Sequence, residues 1–187
     1  ALKQSGYRTG HCGKWHISKN HYDYPKPYHH GFDSSVHNRG VQVPMKPDRL
    51  TGFATSNPED PYRLDENGFP FDTPQQAALD FLQTNKEEPF FLYYATWLVH
   101  APIVMRSEAL LRKYEAKLGV TLKPEHATTW KIPGQTNPFY CAMVEQLDYY
   151  VGQVIEYLES NDDPRWPGHK LIENTYIVFT SDNGGME

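Results

Sequence analysis

Phe90-Phe91-Leu92-Tyr93-Tyr94-Ala95-Thr96-Trp97-Leu98-Val99 is an almost unbroken apolar run, with Pro89 before it and His100-Ala101-Pro102 after it. It reads as a strand covered on both faces, because a strand with one wet face would alternate apolar and polar residues. Upstream, Thr73-Pro74-Gln75-Gln76 reads as a capping box with Pro at the first helical position. It opens a helix through about Asn85 whose buried side is Ala78, Leu79, Phe81 and Leu82. Downstream, residues 106–118, from Arg106 to Leu118, form a second helix with Ala109, Leu110, Lys113 and Tyr114 at helical spacing. Asn137-Pro138 begins the longest helix, striped by Phe139, Met143, Leu147, Val151, Ile155 and Leu158. Residues 160–168 break it, and Tyr176-Ile177-Val178-Phe179-Thr180-Ser181 is a further strand delivering Asp182-Asn183-Gly184-Gly185. Helices alternating with covered strands specify an α/β fold.

Two stretches lack a sustained period of helix or strand: residues 18–72, rich in Pro, Gly, Asn, Asp, Tyr and His, and residues 119–136. The tyrosines of the first favour an ordered, packed excursion. The chain opens on Ala1-Leu2-Lys3-Gln4-Ser5-Gly6, the last turn of a helix with Gly6 as its stop, and closes on Met186-Glu187 just after a functional-looking turn. Both ends are therefore read as interior to a larger domain.

Gly6-Tyr7-Arg8-Thr9-Gly10-His11-Cys12-Gly13-Lys14-Trp15-His16 carries the chemistry. In an extended segment Lys14 and His16 point to the same side. A fixed ammonium beside a titratable imidazole suits a tetrahedral oxyanion. His100 and the Asp182-Asn183 pair end the other two strands, and ligand sites of open α/β sheets lie outside the carboxyl ends of strands. Asp182 and Asn183 offer hard oxygens suited to Ca2+ or Mg2+ rather than zinc. The same residues also read as an ordinary Asp-Asn-Gly-Gly turn. The other seven histidines, His29, His30 and His37 among them, read as loop or rim residues. Trp97, Trp130 and Trp166 read as packing residues before sugar-stacking ones.

The 187 residues carry a formal charge of −5 and no Lys/Arg run, which gives no support to nucleic-acid binding. No apolar stretch approaches bilayer-spanning length. Cys12 and Cys141 make neither a disulfide framework nor a zinc pattern and read as small buried residues.

Gly6-Tyr7-x-Thr9 with Gly13-Lys14-Trp15-His16 resembles the second signature of the formylglycine-dependent sulfatases, the arylsulfatase family of the alkaline-phosphatase superfamily. Pro89 to Tyr93 with His100-Ala101-Pro102, the helix bearing Tyr140, Ala142-Met143-Val144-Glu145 and Leu147-Asp148, and Thr180-Ser181-Asp182-Asn183-Gly184-Gly185 resemble later landmarks of that family, in order. Cys12 is a minor departure, a small aliphatic or Ser being more usual there. The resemblance implies an alkaline-phosphatase-like α/β sandwich around a central mixed, largely parallel sheet flanked by helices, with residues 1–187 the central part of one catalytic domain.

It also implies roles. Lys14 would bind a sulfate oxygen and help hold the formylglycine hydrate. His16 would take a proton from that hydrate. His100 would contact the sulfate and protonate the departing alcohol. Asp182 and Asn183 would share a divalent cation, most simply Ca2+, with Mg2+ the alternative. The upstream carboxylate pair, the segment bearing formylglycine and a downstream lysine fall outside these residues, so the chain alone is expected to be inactive. Substrates would be small-molecule or glycan sulfate esters, and the compartment secreted, periplasmic or lysosomal. The rival readings are a phosphonate or phosphodiester hydrolase of the same superfamily and a non-catalytic sulfatase-like protein that binds sulfated glycans.

Overall fold

The computed structural model describes residues 1–19, 23–129, 132 and 136–184. The chain divides into two compact units: Ala1–Arg39 with Thr73–Thr96 and Tyr149–Ser181, and Gly40–Asp72 with Trp97–Asp148 and Asp182–Glu187.

The first unit is built on a three-stranded parallel sheet. Strand β1 (Arg8–Gly13) lies between β2 (Ser34–Val36) and β3 (Phe90–Ala95), with Gly10 paired to Ser34 and Arg8 to Phe90. Helix α1 (Thr73–Asn85) packs on one face, and Gly10 makes that possible: a β-carbon there would lie 2.5 Å from the Phe81 ring. Phe81 and Leu82 of α1 join Leu158 and Leu171 in a core lined by Phe90, Leu92, Val154, Tyr157 and Ile172. Leu158 and Val154 belong to helix α3 (Pro138–Ser160). On the opposite face His11, Phe32 and Tyr93 meet, while Phe91 and Tyr93 remain 39% and 48% exposed.

Several expectations about this unit are corrected. The apolar run from Phe90 is a strand only to Ala95, because only that far does β1 supply a register partner. It is closely covered on one face rather than two. The run Tyr176 to Ser181 is not a strand: it joins no ladder of the three-stranded sheet, and Tyr176, Val178 and Phe179 lie largely in solvent. The first excursion, read as ordered but without helix or strand period, holds β2 and a 3-10 turn, Pro27–His30, which were not expected. Helix α1 starts at Thr73 itself rather than using it as the cap. The opening turn, Leu2–Ser5, is 3-10 and closes on Gly6 at φ 83°, as expected.

In the second unit Ser107 caps helix α2 (Glu108–Leu118), its side chain accepting from the Leu110 N–H. Arg106 therefore lies outside the expected helix. Its buried guanidinium donates to the carbonyls of Val41 and Val43 at 3.0 and 2.8 Å and stacks over Tyr62 at 3.7 Å. Asn137 caps α3 as its position predicted, accepting from the Phe139 N–H at 3.0 Å. The apolar stripe of α3 begins with fully buried Phe139 and Met143. Lys113 on α2 pairs with Glu145 on α3 at 2.7 Å. Cys12 is buried, Cys141 half-buried, and both are free thiols.

Candidate active site

Gly13 ends β1 at φ 106°, where the Ala95 carbonyl leaves no room for a side chain. The next residue, Lys14, donates its N–H to that same carbonyl. Regular strand structure therefore stops one residue before the pair thought to share a strand face. The in-and-out alternation persists all the same: Lys14 is half-buried, Trp15 buried and His16 exposed. Trp15 anchors the segment from inside, its indole N–H donating to the Pro25 carbonyl at 2.7 Å and its ring lying 5.3 Å from His30. Lys14 and His16 thus stand together at the carboxyl end of the central strand, in one unit.

Beneath them lies a residue misread as a loop histidine. His11 is fully buried on β1 and contacts the Lys14 carbonyl through Nε2 at 3.0 Å and Ser35 Oγ through Nδ1 at 3.3 Å. Burial, the larger influence, pushes its pKa down. The signal was present in the alternation itself, since His11 sits two residues from both Thr9 and Gly13 on the strand. His29 and His126 are loop residues as expected, each ring accepting a backbone N–H, from Lys26 and Lys123.

His100 and the Asp182-Asn183 pair fall in the other unit. His100 closes a turn, its N–H donating to the Trp97 carbonyl at 2.8 Å. Its carbonyl accepts from the buried Gln42 amide at 2.8 Å, and the same amide contacts the Pro102 carbonyl. The imidazole Nδ1 lies 2.8 Å from the Ala101 carbonyl and the ring stands edge-on to buried Trp97. A carbonyl can only accept, so Nδ1 carries a proton in both ionisation states. Nε2, the other ring nitrogen, belongs to an exposed side chain.

Asp182 and Asn183 are exposed, followed by Gly184 at φ 82°. Gly185 lies outside the described residues, as does Trp130. The pair contributes two hard oxygens, a donor set that fits Ca2+ or Mg2+ in kind but fills only part of a shell of six or more. Among the described residues no three His, Cys, Asp or Glu side chains gather as a metal site, and no helix is long and apolar enough to cross a membrane. Trp97 is core; Trp166 is 44% exposed and stacks on His169 at 3.6 Å.

Comparison with known proteins gives one consistent answer. A family model described as Sulfatase matches residues 1–186. A sulfatase of Formosa agariphila is 38% identical over 107 residues, 56% of this chain and 17% of the relative. N-acetylgalactosamine-6-sulfatase of Mus musculus is 27% identical over 98% of the chain and 32% of the relative. An arylsulfatase of Hemicentrotus pulcherrimus is 27% identical over 98% of the chain and 30% of its own length. The chain thus spans at most about a third of these relatives.

Proposed function

Since the chain belongs to the sulfatase family, we propose that the protein of which it is part hydrolyses sulfate esters, with Lys14, His16 and His100 doing the chemistry contributed by these residues. The observation that carries this reading is the pair Lys14 and His16, set at the carboxyl end of the central parallel strand by a glycine turn that tolerates no side chain.

Lys14 is a compact ammonium that binds a sulfate oxygen and offsets the negative charge that builds as the sulfur is attacked. His16, exposed beside it, would take the proton of the formylglycine hydrate's second hydroxyl, so that the transferred sulfate is expelled as inorganic sulfate. His100 serves the leaving group. As the S–O bond to the alcohol breaks, its Nε2–H gives the departing oxygen a proton and leaves a neutral ring still tied through Nδ1 to Ala101. His100 must therefore start as the imidazolium, and Gln42 keeps its backbone in place. A formylglycine supplied by sequence beyond these residues would provide the nucleophile, and a divalent cation held in part by Asp182 and Asn183 would withdraw charge from the sulfate oxygens.

The test uses the full-length protein with 4-nitrophenyl sulfate and 4-nitrophenyl phosphate. Sulfate ester turnover that drops about 100- to 1000-fold in Lys14→Ala and falls on chelation supports the reading. Preferential phosphate ester cleavage, or no turnover by the unmutated protein, refutes it.

A further inference from the structure

The hydrogen bonds behind the Lys14-Trp15-His16 segment continue past His11. Its Nδ1 lies 3.3 Å from Ser35 Oγ on β2, and that oxygen lies 3.2 Å from Nδ1 of His37, just beyond the same strand. The proton positions follow from the far end. The Lys14 carbonyl, 3.0 Å from His11 Nε2, can only accept, so Nε2 carries the hydrogen. In a neutral ring Nδ1 is then an acceptor, and the Ser35 hydroxyl donates to it. That hydroxyl has its one hydrogen committed, so it accepts from His37 Nδ1–H. Every donor points the same way, from His37 through Ser35 and His11 to the Lys14 backbone.

The ring is fixed sideways as well, by Trp15 at 5.2 Å, Phe32 at 5.5 Å and Tyr93 at 5.5 Å. Burial favours the neutral form of both His11 and His37. The Lys14 backbone is thereby held at both of its polar groups, the N–H by Ala95 and the carbonyl by His11. Those two bonds orient the peptide planes on either side of Lys14, which send Trp15 inward and leave His16 exposed.

We propose that His11 is a positioning residue for the Lys14–His16 site, an imidazole whose Nε2–H pins the Lys14 carbonyl while the Ser35 hydroxyl, backed by His37, holds its Nδ1. It rests on the roles assigned above to Lys14 and His16. Its consequence is catalytic because a displacement of about 1 Å in a reacting group is enough to cost on the order of 100-fold in rate.

Two variants of the full-length enzyme, assayed with 4-nitrophenyl sulfate, separate positioning from packing. His11→Phe keeps an aromatic ring in the slot but removes the donor, and kcat falls about 30- to 100-fold with little change in KM. His11→Gln restores an N–H near the position of Nε2 and recovers kcat to within about fivefold of the unmutated enzyme. Nitrogen-15 spectra of the unmutated protein show His11 as the neutral Nε2–H tautomer. An unchanged kcat in His11→Phe overturns the proposal. So does a His11→Gln variant as slow as His11→Phe when both melt like the unmutated protein, or a His11 spectrum of the Nδ1–H or doubly protonated form. An unmutated enzyme without sulfatase turnover would sink the functional reading instead, and the tautomer spectrum would still decide the His11 lock.

Discussion

The carbonyl oxygen of Ala95 occupies the space that a β-carbon on Gly13 would need, and Gly13 holds φ at 106°, a conformation that L side chains rarely adopt. Both constraints act on the residue that turns the chain from β1 toward Lys14. Gly13→Ala therefore meets a backbone strain and a collision with backbone at once. The expected loss is on the order of 3 kcal/mol of stability, read from urea unfolding of the full-length protein, together with loss of sulfate ester turnover. Near-normal stability would mean that the β1 and β3 ends are looser than described.

Gly10 and Phe81 make a second tight approach, strand backbone against helix ring. A flexible partner changes the expected outcome. Gly10→Ala should destabilise by about 1–3 kcal/mol, and Phe81→Leu should recover part of that loss in the double variant. A double-mutant cycle with no coupling would show that α1 shifts bodily rather than yielding at Phe81.

His100 gives a prediction about chemistry rather than folding. With Nδ1 bound to Ala101, proton donation falls to Nε2, so His100→Gln should slow alkyl sulfates more than aryl sulfates, whose phenolate leaves without help. A loss of about 100-fold or more for an alkyl sulfate, with a much smaller one for 4-nitrophenyl sulfate, is the expected pattern. Equal losses for both would move His100 from acid to simple sulfate binding. Gln42→Ala, which frees the His100 carbonyl, should lower kcat for both substrates.

Asp163 supplies a pH dependence. Burial works against its charge, but the Arg165 guanidinium at 3.0 Å and the Asn174 amide at 2.9 Å outweigh that and hold its pKa below the ordinary carboxylate value. Its folded pKa lies below its unfolded one. Its stabilising contribution is therefore complete above the unfolded value, about pH 4, and fades as pH falls through the folded pKa. Unfolding measured between about pH 2 and 6 should show a steeper acid loss for the unmutated protein than for Asp163→Asn.

How far the sequence foretold this structure depends on whether a feature is local. The cap of α3 is local, and Asn137 was placed correctly because its partners lie two and three residues away. The apolar stripe of α3 and the covered side of α1 were legible for the same reason, their periods being set by helix geometry. Register is not local. The end of β3 at Ala95 is decided by where β1 stops, 82 residues earlier, and no pattern within Phe90 to Val99 records it. The same reasoning explains β2, three residues long and invisible without its neighbour. Lys14 and His16 were singled out by motif, whereas His11 was read as a loop residue because a buried histidine and a loop histidine look alike until their partners are known. Arg106 was assigned to a helix by spacing, although its fork serves two carbonyls more than sixty residues away.

The four side chains Tyr176, Ile177, Val178 and Phe179 are at least half exposed, in an extended stretch that donates to no ladder of the sheet. Such a ribbon is sticky. Produced by itself, the chain would stick through these exposed apolar side chains, so insolubility on expression would reflect this stretch rather than a faulty core. Replacing Val178 with Lys is the way to render it tractable, because a charge in mid-ribbon interrupts stacking without touching the folded layers.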